Sequence, residues 1–183
     1  MKEQTKTSRL VTGAMIAALY TALCIALAPI SFGLVQFRVA ETLTILPVLT
    51  PLAIPGLTVG CALSNLIGFA MGTNIIGFAD VFFGTFATFL AALLSRSLRH
   101  VKIKGLPILA PLPPILINAV IVGAELTYAT TGTLATPVYW AIALQTAAEQ
   151  FIPCYVFGLV LYWVLERTCA PQIFPDSCRP AHS

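Results

Sequence analysis

The sequence predicts an all-α membrane protein of six transmembrane helices, and three observations carry that expectation. Only 9% of the 183 residues are charged while 58% are hydrophobic, with a mean hydropathy of +0.91; so few charges cannot furnish a water-facing surface. Six apolar runs follow one another, at about 9–29, 40–54, 56–72, 75–97, 107–129 and 137–165, most of them near the ~20 residues that cross a bilayer core. The basic residues cluster on alternate turns: Lys2, Lys6 and Arg9 precede the first run, Arg96, Arg99, Lys102 and Lys104 lie between the fourth and fifth, and Arg167 and Arg179 follow the sixth. With N- and C-termini in the cytoplasm, nine of the ten basic residues are inside and Arg38 alone is outside. A single membrane domain is expected over 1–168, with a disordered cytoplasmic tail over 169–183.

Taken in order, the first run follows three cations, the layout of a signal peptide, but it is longer than a signal core and five more runs come after it, so it reads as a retained helix. Ala14, Ala18, Ala22 and Ala26 recur every fourth residue along it. Such a stripe lets another helix approach closely, inside the fold or on another protein, and spacing does not choose between the two. The second run is short and bracketed by Pro47, Pro51 and Pro55, which predicts a kinked or broken helix and a wall of a site. In the third, Gly56 with Gly60 and Gly68 with Gly72 read as internal packing. The fourth sets Gly77, Gly84 and Ala91 along one side with Asp80 and Thr88. Asn118 and Glu125 share a face of the fifth, and Gln145 and Glu149 a face of the sixth. Tyr139 with Trp140, and Tyr162 with Trp163, fit interfacial belts at the two ends of the sixth.

Four of the seven acidic residues, Glu41, Asp80, Glu125 and Glu149, fall in or at the edge of these runs. A charged group at the centre of a membrane helix costs roughly 2.5 to 3.5 kcal/mol. Counting residues from the charged turns places all four in the outer half of the bilayer, together with Gln36, Arg38 and Asn65, while Asn118 and Gln145 lie at or just above its middle. Polar pins between helices are the ordinary explanation for one such residue. So many in one half favour a binding cavity, and paired carboxylates and amides suit a flat heterocycle rich in N–H donors. Arg38 has a simpler reading as a structural partner of Glu41, three residues on.

Other chemistries lack their residues. There is no phosphate-binding glycine loop, so any ATP dependence belongs to another subunit. The two histidines, His100 and His182, fall in a loop and in the tail, which leaves no embedded nucleophile pair, no zinc motif and no enzyme reading. The cations are topogenic, which argues against nucleic acid as a partner. The five cysteines show no metal spacing; Cys169, Cys178 and His182 could meet at a metal only by chance in a disordered tail.

The stretch QFRVAETLTILPVLTPLAIPGLTVGCALSNLIGFAMG from Gln36, with ADVFFGTFATFLAA from Ala79 and INAVIVGAEL from Ile117, resembles the QueT family of queuosine-precursor transporters, and the resemblance extends to about Arg167. It implies the fold of an S-component, the substrate-binding subunit of energy-coupling factor (ECF) importers in the bacterial cell membrane. Its partners would be a transmembrane T-component and two ATPase subunits, with ATP used by those partners and no cofactor of its own. The stripe at Ala14, Ala18 and Ala22 matches the docking motif of such subunits. The implied ligand is a 7-deazaguanine, queuine or a precursor. Glu149 and Glu125 are then assigned to the purine edge, Asp80 or Glu41 to the 7-substituent, and Asn118, Gln145, Asn65, Gln36 and Arg38 to supporting contacts. The alternatives are an S-component for another heterocyclic vitamin and a non-transporting membrane scaffold protein.

Overall fold

Helices form where the apolar runs predict them, with one exception that shapes the whole molecule. The computed structural model describes residues 6–33, 35–103, 105–134 and 136–168. Through these run α1 (Lys6–Ala26), α2 (Val39–Leu49), α3 (Ala53–Ala70), α4 (Ala79–Ser97), α5 (Leu112–Thr131) and α6. The last is α-helical over Thr136–Phe151, π-helical over Ile152–Phe157 and α-helical again over Gly158–Thr168. Five of them, all but α2, are long and apolar enough to cross a membrane. The expected second span is instead seven residues of 3-10 helix, Val39–Ile45, and one α-turn, Leu46–Leu49. At the rises of these helices it is about 20 Å long, short of a ~30 Å hydrocarbon core. Pro47 sits in its first α-turn and Pro51 just beyond its end, so neither supplies a backbone N–H to extend the ladder.

Small residues fix the close pairings. A Cβ at Gly56 would lie 2.8 Å from the Gly13 carbonyl oxygen, and one at Gly60 would lie 2.9 Å from Tyr20 Cβ and 3.0 Å from the Ala17 oxygen, so α1 and α3 touch backbone to backbone. Gly68 meets the Phe32 ring in the same way. The internal-packing reading of these three glycines holds; Gly72 and Gly77 lie outside the helices, in the turn between α3 and α4, with φ of 69° and 83° that favour glycine. Gly123 packs against Ala143 between α5 and α6. Each long helix packs on its neighbour in sequence, α1 on α3, α3 on α4, α4 on α5 and α5 on α6. The short α2 packs against α1, α4 and α6 and closes the bundle. Nearly all of it is buried, and Leu43, Ile45 and Leu46 join Tyr20, Cys24, Phe32, Leu57 and Tyr162 in the core.

Two ends with different chemistry result. At one, Arg96 donates to the Pro47 carbonyl oxygen at 2.9 Å, satisfying an acceptor at the broken end of α2. Lys102 pairs with Glu166 at 3.3 Å, and Arg167 stacks over Trp163. Tyr162 is not part of a lipid-facing belt there: it is 1% exposed, donates to Glu166 at 3.0 Å and lies under the Lys102 ammonium. Trp163 and, at the other end, Trp140 are exposed as expected. The tail over 169–183 lies outside the described residues. The other end of the bundle holds Arg38 and the four acids of the apolar runs.

Candidate functional site

Arg38 precedes α2 with an extended backbone (φ −89°, ψ 98°), so its side chain does not follow the helical face that would bring it to Glu41. It pairs with Asp80 at the start of α4, at 2.8 Å, with both groups buried. Its Nε donates to the Ser31 carbonyl oxygen at 3.2 Å, and its guanidinium lies over the Phe32 ring. Asp80 also accepts a hydrogen bond from Asn74 Nδ2 at 2.9 Å, and its backbone oxygen accepts one from Asn65 Nδ2 at 2.8 Å. Gly84, one turn on, leaves room for that carboxylate: a Cβ there would collide with it. The simpler reading of Arg38 as a partner of Glu41 thus gives way to a buried ion pair tying the segment before α2 to α4.

Glu41 is fully buried within the 3-10 turn and accepts a hydrogen bond from the Tyr20 hydroxyl of α1 at 2.7 Å. Glu149 of α6 accepts from the Gln36 backbone N–H at 2.9 Å and from Gln145 Nε2 at 2.7 Å. The pairing of Gln145 with Glu149, read from their spacing of four, is present. The segment leading into α2 is therefore held at two points, Gln36 on α6 and Arg38 on α4.

Glu125 stands apart. It borders a cavity of about 830 Å3 between α4 and α5, walled by Ile75, Ile76, Phe83, Val120, Tyr128 and Leu134, and among the described residues it is the only charged one lining it. Both of its carboxylate oxygens are buried without a hydrogen-bond partner among the described residues. The charged groups near enough to act on it are Asp80 and Arg38. Asn118 is buried two turns toward the other end of α5.

A second regularity links these residues. Gln36 Nε2, Glu41 Oε2, Asn65 Oδ1, Asp80 Oδ1 and both oxygens of Glu125 are buried and have no partner among the described residues. All five of these amide and carboxyl side chains are among those singled out by sequence; the hydroxyls of Ser31, Thr42 and Thr85, buried and unpartnered in the same way, are not. An unsatisfied buried polar group costs about 1 to 3 kcal/mol, and more when charged. Structural pins would use up their hydrogen-bonding capacity; these keep part of it in reserve. One arginine faces four carboxyl groups, so the reserve favours a ligand rich in N–H donors or carrying positive charge.

Sequence reasoning missed Tyr20 and Asn74, each of which holds an acid in place. Tyr20 carries a weak signal, a lone tyrosine in an apolar run with Cys24 four residues on; Asn74 sits in a short turn where nothing marks it. No group of His, Cys, Asp or Glu among the described residues has the arrangement of a metal site. Cys24, Cys61 and Cys154 are buried thiols.

The sequence matches the family described as QueT transporter over residues 10–167. A stretch of 77 residues, 41% of the chain, is 38% identical to the queuosine precursor transporter QueT of Lactococcus lactis subsp. cremoris (strain MG1363), and the match spans 46% of that relative. No solved structure matches.

Proposed function

Because the chain belongs to the QueT transporter family, a family of multi-pass bacterial membrane transporters rather than enzymes, we propose that it is the substrate-binding S-component of an ECF importer that takes up a queuosine precursor of the 7-deazaguanine class. The observation that carries the ligand class is the reserve of unpaired buried polar atoms on Gln36, Glu41, Asn65, Asp80 and Glu125. A 7-deazaguanine presents adjacent ring N–H and exocyclic amine donors, which one carboxylate can accept in parallel. Glu125 is assigned that edge, since neither of its oxygens is engaged by a described residue. Both oxygens of Glu149 are engaged, so its role is to hold the Gln36 segment as a cover. The free oxygens of Asp80 and Glu41 suit an aminomethyl cation or its neutral counterpart at the 7-position.

The partners are a transmembrane T-component and two ATPase subunits. Ala14, Ala18 and Ala22 all face outward from the bundle, which supports the docking reading of that stripe. In the proposed orientation both termini are cytoplasmic, the basic end faces inward and the acid-bearing end faces the outside. Uptake of radiolabelled 7-aminomethyl-7-deazaguanine into cells tests the whole reading. Accumulation should require the chain, the T-component and an active ATPase together. Accumulation with the chain alone would contradict the S-component role, and equal accumulation of thiamine would contradict the substrate class.

A further inference from the structure

A second cavity, of about 510 Å3, lies at the basic end between the first half of α1 and the start of α3. Its walls are apolar or small, Leu10, Gly13, Ala14, Leu52, Pro55 and Val59, and Lys6 and Arg9 border it where α1 begins. Among the described residues no acid lines it, and neither cation forms an ion pair with another described residue. We propose that this groove holds one anionic phospholipid, an acyl chain lying along the Gly13 and Ala14 face and the phosphate meeting Lys6 and Arg9.

The groove does not gain by being covered with hydrocarbon, because lipid tails are as apolar as its walls. Selectivity must therefore come from the headgroup. Two cations near a membrane surface are expected to favour an anionic over a zwitterionic headgroup by about thirtyfold, roughly fivefold each. Free phosphate offers the same anion without the chain and would leave the apolar length of the groove unmatched. A protein helix docked on the alanine stripe would displace the lipid from Ala14, a consequence that rests on the docking reading; lipid binding itself does not.

The test is electron paramagnetic resonance on the full chain in phosphatidylcholine nanodiscs, with chain-labelled phosphatidylglycerol or phosphatidylcholine as the probe. The expected result is a motionally restricted component that strongly favours phosphatidylglycerol, persists in millimolar inorganic phosphate, and falls to the phosphatidylcholine level in the Lys6→Gln, Arg9→Gln double variant. Gly13→Leu should abolish the preference by filling the groove, since a Cβ there meets only the Leu52 oxygen, at 3.7 Å. Equal restriction of the two lipids in the wild type would overturn the proposal. So would a preference that survives the double variant, or one removed by inorganic phosphate.

Discussion

Glu125 and Asp80 carry unpaired oxygens for different reasons, and substitutions should separate them. Glu125 has no ion-pair partner among the described residues, so Glu125→Gln should leave the fold intact and weaken binding of a 7-deazaguanine at least about tenfold, the size of one charge-assisted hydrogen bond. An unchanged dissociation constant by calorimetry would remove Glu125 from the purine edge. Asp80 is half of a buried pair, and Asp80→Asn leaves the Arg38 guanidinium uncompensated at a cost of about 3 to 5 kcal/mol. The Arg38→Met, Asp80→Leu double variant should recover most of that stability while still failing to bind. Thermal unfolding in detergent reads both effects, and a double variant no more stable than Asp80→Asn would show that the pair is not the source. That these residues call for compensation was legible in the sequence, because an acid in an apolar run is expensive wherever it points. Their partners were not. Arg38 lies nearer Glu41 in sequence, but the extended backbone before α2 sends it to Asp80, and no spacing rule anticipates a bend outside a helix.

At the scale of elements, prolines and glycines set what each helix can do. Pro153 lacks the N–H that an α-ladder needs at its position, and the chain widens into a π-turn over Ile152–Phe157 beside the 3-10 stretch of α2. The break in α2 was predicted from its prolines; its 3-10 form was not, because the same residues satisfy either helix and tertiary packing decides. Gly60 shows the opposite case, where sequence sufficed. With 2.9 Å to Tyr20 Cβ and 3.0 Å to the Ala17 oxygen, no side chain fits without moving α1. Gly60→Val should therefore destabilise the protein by about 1 to 3 kcal/mol, the range for overpacking. Since the shift of α1 also displaces Tyr20 from Glu41, ligand affinity should fall with it. A melting temperature equal to that of the wild type would mean that the two helices part without strain.

For the whole molecule, the division into an end bearing Arg96, Arg99, Lys102 and Arg167 and an end bearing Arg38 with the four acids of the apolar runs follows from where the few charges fall in an apolar chain, and the sequence made it readable. Which face of α1 looks outward was not. In lipid the inside and outside of a bundle are equally apolar, so a stripe of alanines looks the same on either side until neighbours are placed. Tyr20 and Cys24 turn inward and Ala14, Ala18, Ala22 and Ala26 outward. Ala18→Trp should accordingly spare ligand binding by the isolated chain and abolish ATP-driven uptake, measured side by side in detergent and in cells. Lost binding would mean that the stripe matters to the fold itself. The most direct measurement of the central proposal is calorimetric titration of the purified chain with queuine, 7-cyano- and 7-aminomethyl-7-deazaguanine, guanine and thiamine. Tight binding confined to the deazaguanines, and weakened in Glu125→Gln, is the expected result. A folded protein that binds none of them, or that binds thiamine as tightly, would contradict it.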